Sequence, residues 1–288
     1  MLKRTIAGIL MGGFLFLFLW LTNFSHFIFD ALIMIVGGIA AWEMKEALSH
    51  GEGEKKYNAI LPVIIFAWVT AYPLSFFFGY SGLLIDFITS LVIAFVIFIF
   101  CPKIAINDFF ATIFVVIYPI ILLSILYVLN GLYGMIPVVL AIAIGTISDL
   151  FAYFIGAIFG KKKIFPKISP KKTYAGCIAG LFGGAVGGII VYLIFEYGKF
   201  PTYRQFVFST LFDGSVGLTI LVYAVIGFVI AIFSEIGDLA ASRIKREVGI
   251  KDYGKILGSH GGILDRIDSI LFTTVCIAAI MEIISLAS

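Results

Sequence analysis

The stretch that decides the fold class runs from residue 81 to residue 100 and reads SGLLIDFITSLVIAFVIFIF, with Asp86 as its one ionisable side chain. A helix needs about 20 apolar residues to cross the hydrocarbon core of a bilayer. By this measure eight further stretches qualify, and these are residues 4–22, 24–44, 58–78, 109–129, 133–159, 174–197, 215–241 and 266–286. We therefore predict an all-α polytopic membrane protein with about nine transmembrane helices.

The amino-acid composition supports the same class. Of the 288 residues, 61% are hydrophobic and 13% are charged, and the mean hydropathy is +1.13. A soluble domain carries about 45–50% apolar and about 25% charged residues, so the composition excludes an ordinary water-soluble domain. Cys101, Cys177 and Cys276 are isolated and show no metal-ligand spacing, and we interpret them as packing residues.

The distribution of basic residues predicts the orientation in the membrane. When the N-terminus and every second loop are assigned to one side, that side holds 18 of the 20 Lys and Arg residues, and only Lys199 and Arg204 fall on the other. The positive-inside rule then places the N-terminus in the cytoplasm and the C-terminus outside. The first apolar run is longer than the core of a signal peptide, so we predict a retained first helix.

Residues 1–130 have little polar content within their spans. Asp30 and Asp86 are exceptions, and each is expected near a helix end or facing the bundle. Glu43 and Glu46 flank a lysine at the end of the second span, which is typical of a solvated face. We therefore interpret residues 1–130 as a scaffold.

Residues 131–288 carry polar side chains inside their spans and two basic loops, 161–173 and 242–266. We predict that this region is catalytic and that both loops are cytoplasmic. One helical stripe, spaced by three and four residues, is formed by Glu235, Asp238, Ser242 and Lys245.

The last span opens with Asp265 and Asp268, one helical turn apart. An ionised carboxylate at membrane depth costs about 2.5–3.5 kcal/mol. One interpretation is that Asp238 and Asp265 pair with Lys or Arg and hold helices together. The other is that carboxylates from two helix ends converge on a divalent cation. Magnesium prefers one or two carboxylates and completes its shell with water and phosphate oxygens, and the surrounding basic loops favour a polyphosphate ligand. The second interpretation therefore predicts magnesium, alone or with a second cation.

The segment before the first basic loop contains Asp149 and Tyr153 on one helix face, followed by Gly156 and Gly160. The glycine spacing fails the Walker pattern, so close helix packing is the preferred interpretation. A second glycine seam, also interpreted as structural, comprises Gly176, Gly180, Gly184 and Gly188, with Gly183 and Gly187 beside them. Among the histidines only His260, in a glycine-containing loop among Lys and Asp, is a site candidate.

Residues 242–268 read SRIKREVGIKDYGKILGSHGGILDRID, and this block resembles the signature of the phosphatidate cytidylyltransferase family, also called CDP-diacylglycerol synthases. Two upstream elements are similar to that family as well, SDLFAYFIGAIFGK at 148–161 and SPKKT at 169–173. The resemblance implies an enzyme that joins CTP and phosphatidate into CDP-diacylglycerol and pyrophosphate, using magnesium. It also implies metal binding by Asp238 and Asp265, and a homodimer in the bacterial inner membrane with its active site facing the cytoplasm.

Residue types suggest how the remaining roles divide. We expect Glu235 and Asp268 to support the metal site. The candidates for CTP phosphates are Lys245, Arg246, Lys251 and Arg266, with Asp252 and His260 as further catalytic candidates. The candidates for substrate binding are Ser148, Asp149, Lys171, Lys172, Thr173 and Ser242. The expected partners are CTP, phosphatidate and membrane lipid, and no nucleic acid.

Two other functions remain open from the sequence. A CTP-dependent polyprenol or phytol kinase would have a similar C-terminal block but would transfer the γ-phosphate to a hydroxyl. An ion transporter would use Glu235 and Asp238 as a permeation site, but it leaves the long basic loop unexplained. The position of a phosphate label in the product separates the first alternative from cytidylyl transfer, and CTP-independent flux identifies the second.

Overall fold

The computed structural model describes residues 26–50, 57–199, 208, 215–258 and 261–287. Within these residues, eight helices are long and apolar enough to cross a membrane. They correspond to eight of the nine predicted spans, and the chain is an all-α polytopic membrane protein. The other predicted span, 4–22, lies outside the described residues.

Most helices follow one another through short connections. Their bounds are α1 His26–Ser49, α2 Leu61–Phe78, α3 Tyr80–Phe100, α4 Ile106–Val115, α5 Leu122–Tyr133, α6 Met135–Phe159, α7 Tyr174–Val191, α8 Val216–Glu247 and α9 Leu264–Ala287. Two π-helical segments continue the helices: Val116–Ile121 joins α4 to α5, and Tyr192–Tyr197 follows α7. The first contains Pro119, which has no N–H to donate and therefore favours a widened turn.

Parts of the two basic segments have regular secondary structure. Strands β1 Lys163–Phe165 and β2 Ser169–Thr173 pair antiparallel between α6 and α7, where the sequence predicts only a turn. Helix α8 has 32 residues, a length of about 48 Å against about 30 Å for the hydrocarbon core. The start of the second predicted loop, from Ser242 to Glu247, is therefore helical.

The chain forms two compact units. The first contains residues 1–131 and 247–267, and the second contains residues 132–246 and 268–288. The first unit thus holds α1 to α4, most of α5 and the segment before α9. The second holds α6, the β-hairpin, α7, α8 and most of α9.

Two aspartates are buried within the first unit, and each has a polar partner from another helix. Asp30 in α1 accepts a hydrogen bond from Asn130 Nδ2 at 3.0 Å, and Asp86 in α3 accepts one from Thr70 Oγ1 at 2.5 Å. Both side chains are almost completely inaccessible to solvent. They therefore face the bundle, as one of the two sequence interpretations expects.

The glycines of α7 let two helices approach it closely in the second unit. A methyl group at Gly183 or Gly187 would touch side chains of α6, whereas one at Gly184 or Gly188 would meet the backbone of α8. Gly227 of α8 lies against Gly184 in return. The predicted glycine seam is thus confirmed as a helix-packing surface.

Replacing Gly188 with alanine is expected to lower the stability of the protein by about 1–3 kcal/mol, because the added methyl group would overlap the carbonyl oxygen of Tyr223. The matched control is Gly217→Ala in α8, where nothing lies within 4 Å of the new methyl group. Thermal unfolding of the purified variants in detergent measures both effects. Equal melting temperatures for the two variants would contradict the close α7–α8 contact.

Candidate active site

Two acidic side chains of α8 hold the same lysine in the second unit. The Nζ atom of Lys172, in β2, lies 2.5 Å from Glu235 Oε2 and 2.7 Å from Asp238 Oδ2. The exposed fractions of these side chains are 16%, 10% and 31%, respectively. Burial alone lowers the pKa of Lys172, but the carboxylates of Asp238 and Glu235 outweigh it and raise the pKa. The ammonium group therefore remains charged between them.

The β-hairpin and the start of α7 fix the position of this lysine. Thr173 is the N-cap of α7, and its Oγ1 accepts a hydrogen bond from Gly176 N at 3.1 Å. Gly156 and Gly160 of the α6 end lie directly against the Thr173 side chain. The Gly156-x3-Gly160 spacing therefore serves packing, as predicted, and it holds the residue next to Lys172.

Two further carboxylates and a second lysine belong to the same group of charges. Asp149 in α6 interacts electrostatically with Asp238, Lys172 and Glu235. Asp268 in α9 is buried and interacts with Asp238 and Asp149. Lys245 Nζ lies 3.9 Å from Asp268 Oδ2. We name this group the acid–lysine cluster and define it as Asp149, Lys172, Glu235, Asp238, Lys245 and Asp268.

The acid–lysine cluster has an excess of acidic groups and free acceptor atoms. It contains four carboxyl groups and two ammonium groups. Within the described part of the chain, Glu235 Oε1 and Ser148 Oγ are buried without a hydrogen-bond partner. Gly180 keeps the space beside both atoms free, because a methyl group there would lie 3.0 Å from Glu235 Oε1 and 3.1 Å from Ser148 Oγ. Such a site is complementary to a cation.

The donor atoms suit magnesium better than a metal held by protein ligands alone. Among the described residues, no group of three or more His, Cys, Asp or Glu side chains is placed to hold a metal ion. Magnesium usually takes one or two carboxylates and fills its remaining positions with water and phosphate oxygens. Glu235 and Asp238, which meet at one ammonium group, offer such a pair.

The first unit contains the other predicted aspartate, Asp265, at the start of α9. Its Oδ2 accepts hydrogen bonds from the backbone N–H groups of Tyr253, at 2.8 Å, and Gly262, at 2.9 Å. Asp265 therefore ties the segment before α9 to the first turn of that helix. Asp238 belongs to the second unit, and the binding of one ion by both aspartates stays a prediction.

The comparison with protein families covers nearly all of these residues. The model of the cytidylyltransferase family matches residues 2–284. The chain belongs to this family. The match includes both units and every residue of the acid–lysine cluster.

Individual members of the cytidylyltransferase family share substantial identity with the chain. The phosphatidate cytidylyltransferase of Aquifex aeolicus (strain VF5) is 29% identical over 273 residues, which cover 95% of this chain and 88% of the relative. The phosphatidate cytidylyltransferase of Staphylococcus aureus (strain COL) is 38% identical over 139 residues, which cover 48% of this chain and 46% of the relative.

The other predicted site residues differ in their accessibility. Ser242 is half-buried on α8, and Thr173 is buried. His260 lies outside the described residues. Those with exposed side chains are Lys171, Arg246, Lys251, Asp252 and Arg266. The exposed residues are thus accessible to a soluble ligand, and their roles in this cytidylyltransferase-family protein stay predictions.

The sequence interpretation of Glu43 is wrong. Its side chain is only 3% exposed, because its carboxylate accepts hydrogen bonds from the backbone of residues Ile263 and Leu264. Glu46 fits the expected solvated face and pairs with Lys45 at 3.0 Å. Both glutamates lie within two residues of Lys45, and this local pattern does not distinguish a buried glutamate from a solvated one. The burial of Glu43 was therefore not predictable.

The sequence also gives no sign of the contact made by Cys177. Its Sγ lies 3.7 Å from Glu235 Oε2, so this thiol is at the edge of the acid–lysine cluster. Cys276, in contrast, is buried and fits the predicted packing role.

Proposed function

We propose that this cytidylyltransferase-family protein transfers CMP from CTP to phosphatidate and produces CDP-diacylglycerol and pyrophosphate. An oxygen of the phosphatidate phosphate forms a bond to the α-phosphorus of CTP, and the bond from that phosphorus to the departing pyrophosphate oxygen breaks. The names of the relatives support these substrates. The structural observation that carries the proposal is the acid–lysine cluster. Lys172 of the β-hairpin meets there the acidic side chains of helices that are long and apolar enough to cross a membrane.

The reaction requires charge neutralisation more than proton removal. A phosphate monoester has a second pKa near 6, so much of the phosphatidate is already a dianion at neutral pH. Its attack on CTP brings two anions together and releases a third. Lys172 and Lys245 are the cationic groups of the cluster, and the raised pKa of Lys172 keeps its ammonium group charged. We propose that these lysines bind phosphate oxygens during the transfer.

We propose magnesium as the cofactor. Glu235 and Asp238 are the residues that would hold it, because their carboxylates meet at one position and Glu235 Oε1 has no hydrogen-bond partner in the described chain. When bound, the ion neutralises phosphate charge and favours the departure of pyrophosphate. Asp149 and Asp268 are two further carboxyl groups that interact electrostatically with Asp238.

We further propose that the active site faces the cytoplasm of a bacterial inner membrane. The proposal is supported by the concentration of Lys and Arg in the segments around the acid–lysine cluster. In this arrangement CTP arrives from water and phosphatidate stays in the bilayer. A homodimer is proposed from the family resemblance, and the mass of the purified protein in detergent tests it.

CTP labelled at the α-phosphate is expected to place its label in the lipid product, and CTP labelled at the γ-phosphate is expected to place its label in pyrophosphate. Purified protein in phosphatidate-containing micelles, with and without magnesium, provides the measurement. Removal of magnesium by a chelator should abolish pyrophosphate release, and added magnesium should restore it. A γ-label in the lipid would identify a lipid kinase instead. If the lipid carries no label from either CTP and proteoliposomes show ion flux without CTP, the protein is a transporter.

A further inference from the structure

The carboxylate of Glu43 binds the start of α9 within the first unit. Oε1 accepts a hydrogen bond from Ile263 N at 3.1 Å, and Oε2 accepts one from Leu264 N at 2.8 Å. Glu43 lies near the end of α1 and its side chain is 3% exposed. The contact therefore joins two parts of the chain that are 220 residues apart.

These two N–H groups are among those that a helix cannot satisfy by itself. The first N–H groups of an α-helix have no partner within the helix, and they carry partial positive charge. A carboxylate that accepts two of them stabilises the helix start both by hydrogen bonding and by charge. Glu43 thus performs for α9 the function that a local cap residue performs in other helices.

Two glycines before α9 lie in close contact with the same carboxylate. A methyl group at Gly254 or at Gly262 would overlap the Glu43 carboxyl group. A methyl group at either position would therefore require the Glu43 carboxylate to shift. The steric fit is a second observation, independent of the hydrogen bonds, that the segment before α9 is built on Glu43.

Asp265 completes the arrangement from the other side. It accepts hydrogen bonds from Tyr253 N and Gly262 N, so the two carboxylates together bind four backbone N–H groups. Within the segment, Leu257 N also donates to Gly261 O at 3.0 Å. Tyr253 and residues 262–264 are therefore held by carboxylates, and Lys255 between them is exposed.

We propose that Glu43 is a positioning residue for the reaction: its buried carboxylate holds residues 253–258 and 261–264 in the conformation in which nearby basic residues bind the triphosphate of CTP. Those basic residues are Lys251, Lys255 and Arg266, which have exposed side chains. The inference rests on the proposed function for its ligand, CTP, but the conformational part does not depend on it. Glu43 acts through the backbone and is not expected to touch the substrate.

Glu43→Ala is expected to raise the KM for CTP about tenfold or more while the KM for phosphatidate changes little. Glu43→Gln keeps one acceptor oxygen and should give a smaller rise in the same direction. The matched control is Glu46→Gln, which removes an exposed carboxylate from the same helix and should leave both KM values unchanged. Steady-state pyrophosphate release at varied CTP and varied phosphatidate provides the numbers. An unchanged KM for CTP in both Glu43 variants, in protein that turns over, would overturn the proposal.

Tryptic cleavage after Lys251 and Lys255 tests the conformation without any turnover. Without the Glu43 carboxylate, trypsin should cut these bonds about tenfold faster in Glu43→Ala than in the natural protein or in Glu46→Gln, because cleavage requires local opening of the chain. Fragment masses identify the cleaved bond. Equal cleavage rates in all three proteins would refute the positioning role even if the enzyme assay succeeds. If the natural protein makes no CDP-diacylglycerol, the proposed function fails, and the cleavage rates still decide whether Glu43 holds the segment.

A steric double-mutant cycle tests the contact itself. Gly262→Ala should accelerate tryptic cleavage about fivefold or more in the natural background, because the methyl group displaces the Glu43 carboxylate. In the Glu43→Ala background the same change should add less than about twofold, since the obstructing carboxylate is absent. Equal effects of Gly262→Ala in both backgrounds would show that the two residues do not meet.

Discussion

Lys172→Met is expected to destabilise the protein by about 3–5 kcal/mol, because it leaves the carboxylates of Glu235 and Asp238 without their shared ammonium group in a largely buried position. The melting temperature of the purified protein in detergent should fall by on the order of 5–10 °C. The raised pKa of Lys172 means that the stabilisation is present below the unfolded-state pKa of about 10.4 and is lost only as the pH rises through the folded-state value. The difference in melting temperature between the natural protein and Lys172→Met should therefore not decrease as the pH rises to about 9.

The neighbouring lysine supplies the control for this experiment. Lys171 is exposed in the same strand, and Lys171→Met should change the stability by less than about 0.5 kcal/mol. A second test uses Glu235→Gln, which should partly rescue Lys172→Met because one of the two unpaired charges is removed. If Lys172→Met and Lys171→Met melt at the same temperature, the ion pairs of Lys172 with Glu235 and Asp238 contribute nothing to the stability of the protein.

Asp265→Asn is expected to lower the rate of pyrophosphate release by on the order of 100-fold or more while the protein stays folded, because the family resemblance implies that this carboxylate takes part in metal binding. The amide oxygen of asparagine accepts the same hydrogen bonds from Tyr253 N and Gly262 N that Asp265 accepts. The variant removes the negative charge and keeps an acceptor for these two bonds, so it tests a charge role in catalysis separately from the two backbone contacts. The rate in phosphatidate-containing micelles and the melting temperature are measured on the same preparation.

Asp108 provides a control of the same kind in the same unit. Its carboxylate also accepts two backbone hydrogen bonds, from Asn58 N to Oδ1 at 2.6 Å and from Ala105 N to Oδ2 at 3.2 Å, so asparagine keeps one of the two. No role in the reaction is assigned to Asp108. Asp108→Asn should therefore change the rate by no more than about twofold. If Asp265→Asn is as active as Asp108→Asn, the charge of Asp265 has no role in the reaction and the residue only anchors the backbone.

The predictions that rest on local sequence patterns agree with the structure. Eight of the predicted spans are helices, because a length of about 20 apolar residues is a property of one segment and needs no partner. The stripe that begins with Glu235 and Asp238 lies on α8 for a similar reason, since residues three and four apart share a helix face. The glycine seam of α7 was readable from its spacing alone.

The β-hairpin before α7 was not predictable in this way. Its strands have three and five residues and are rich in exposed lysine, so they lack the alternation of apolar and polar side chains that signals a strand. The hairpin ends at the buried cap residue Thr173, which packs against Gly156 and Gly160. That contact joins two helices and is absent from either segment taken alone.

The amino-acid order was sufficient to specify a membrane protein, its helical segments and the residue types of the site, because lipid imposes length and apolarity on each span separately. The partners of individual charges came from packing: Lys172 lies between two acids and not in an open basic loop, and Glu43 is buried beneath glycines and not solvated. An isolated charge is equally compatible with water, an ion pair or a ligand. Which of these it meets depends on side chains brought together from distant parts of the chain, and this information is in the fold.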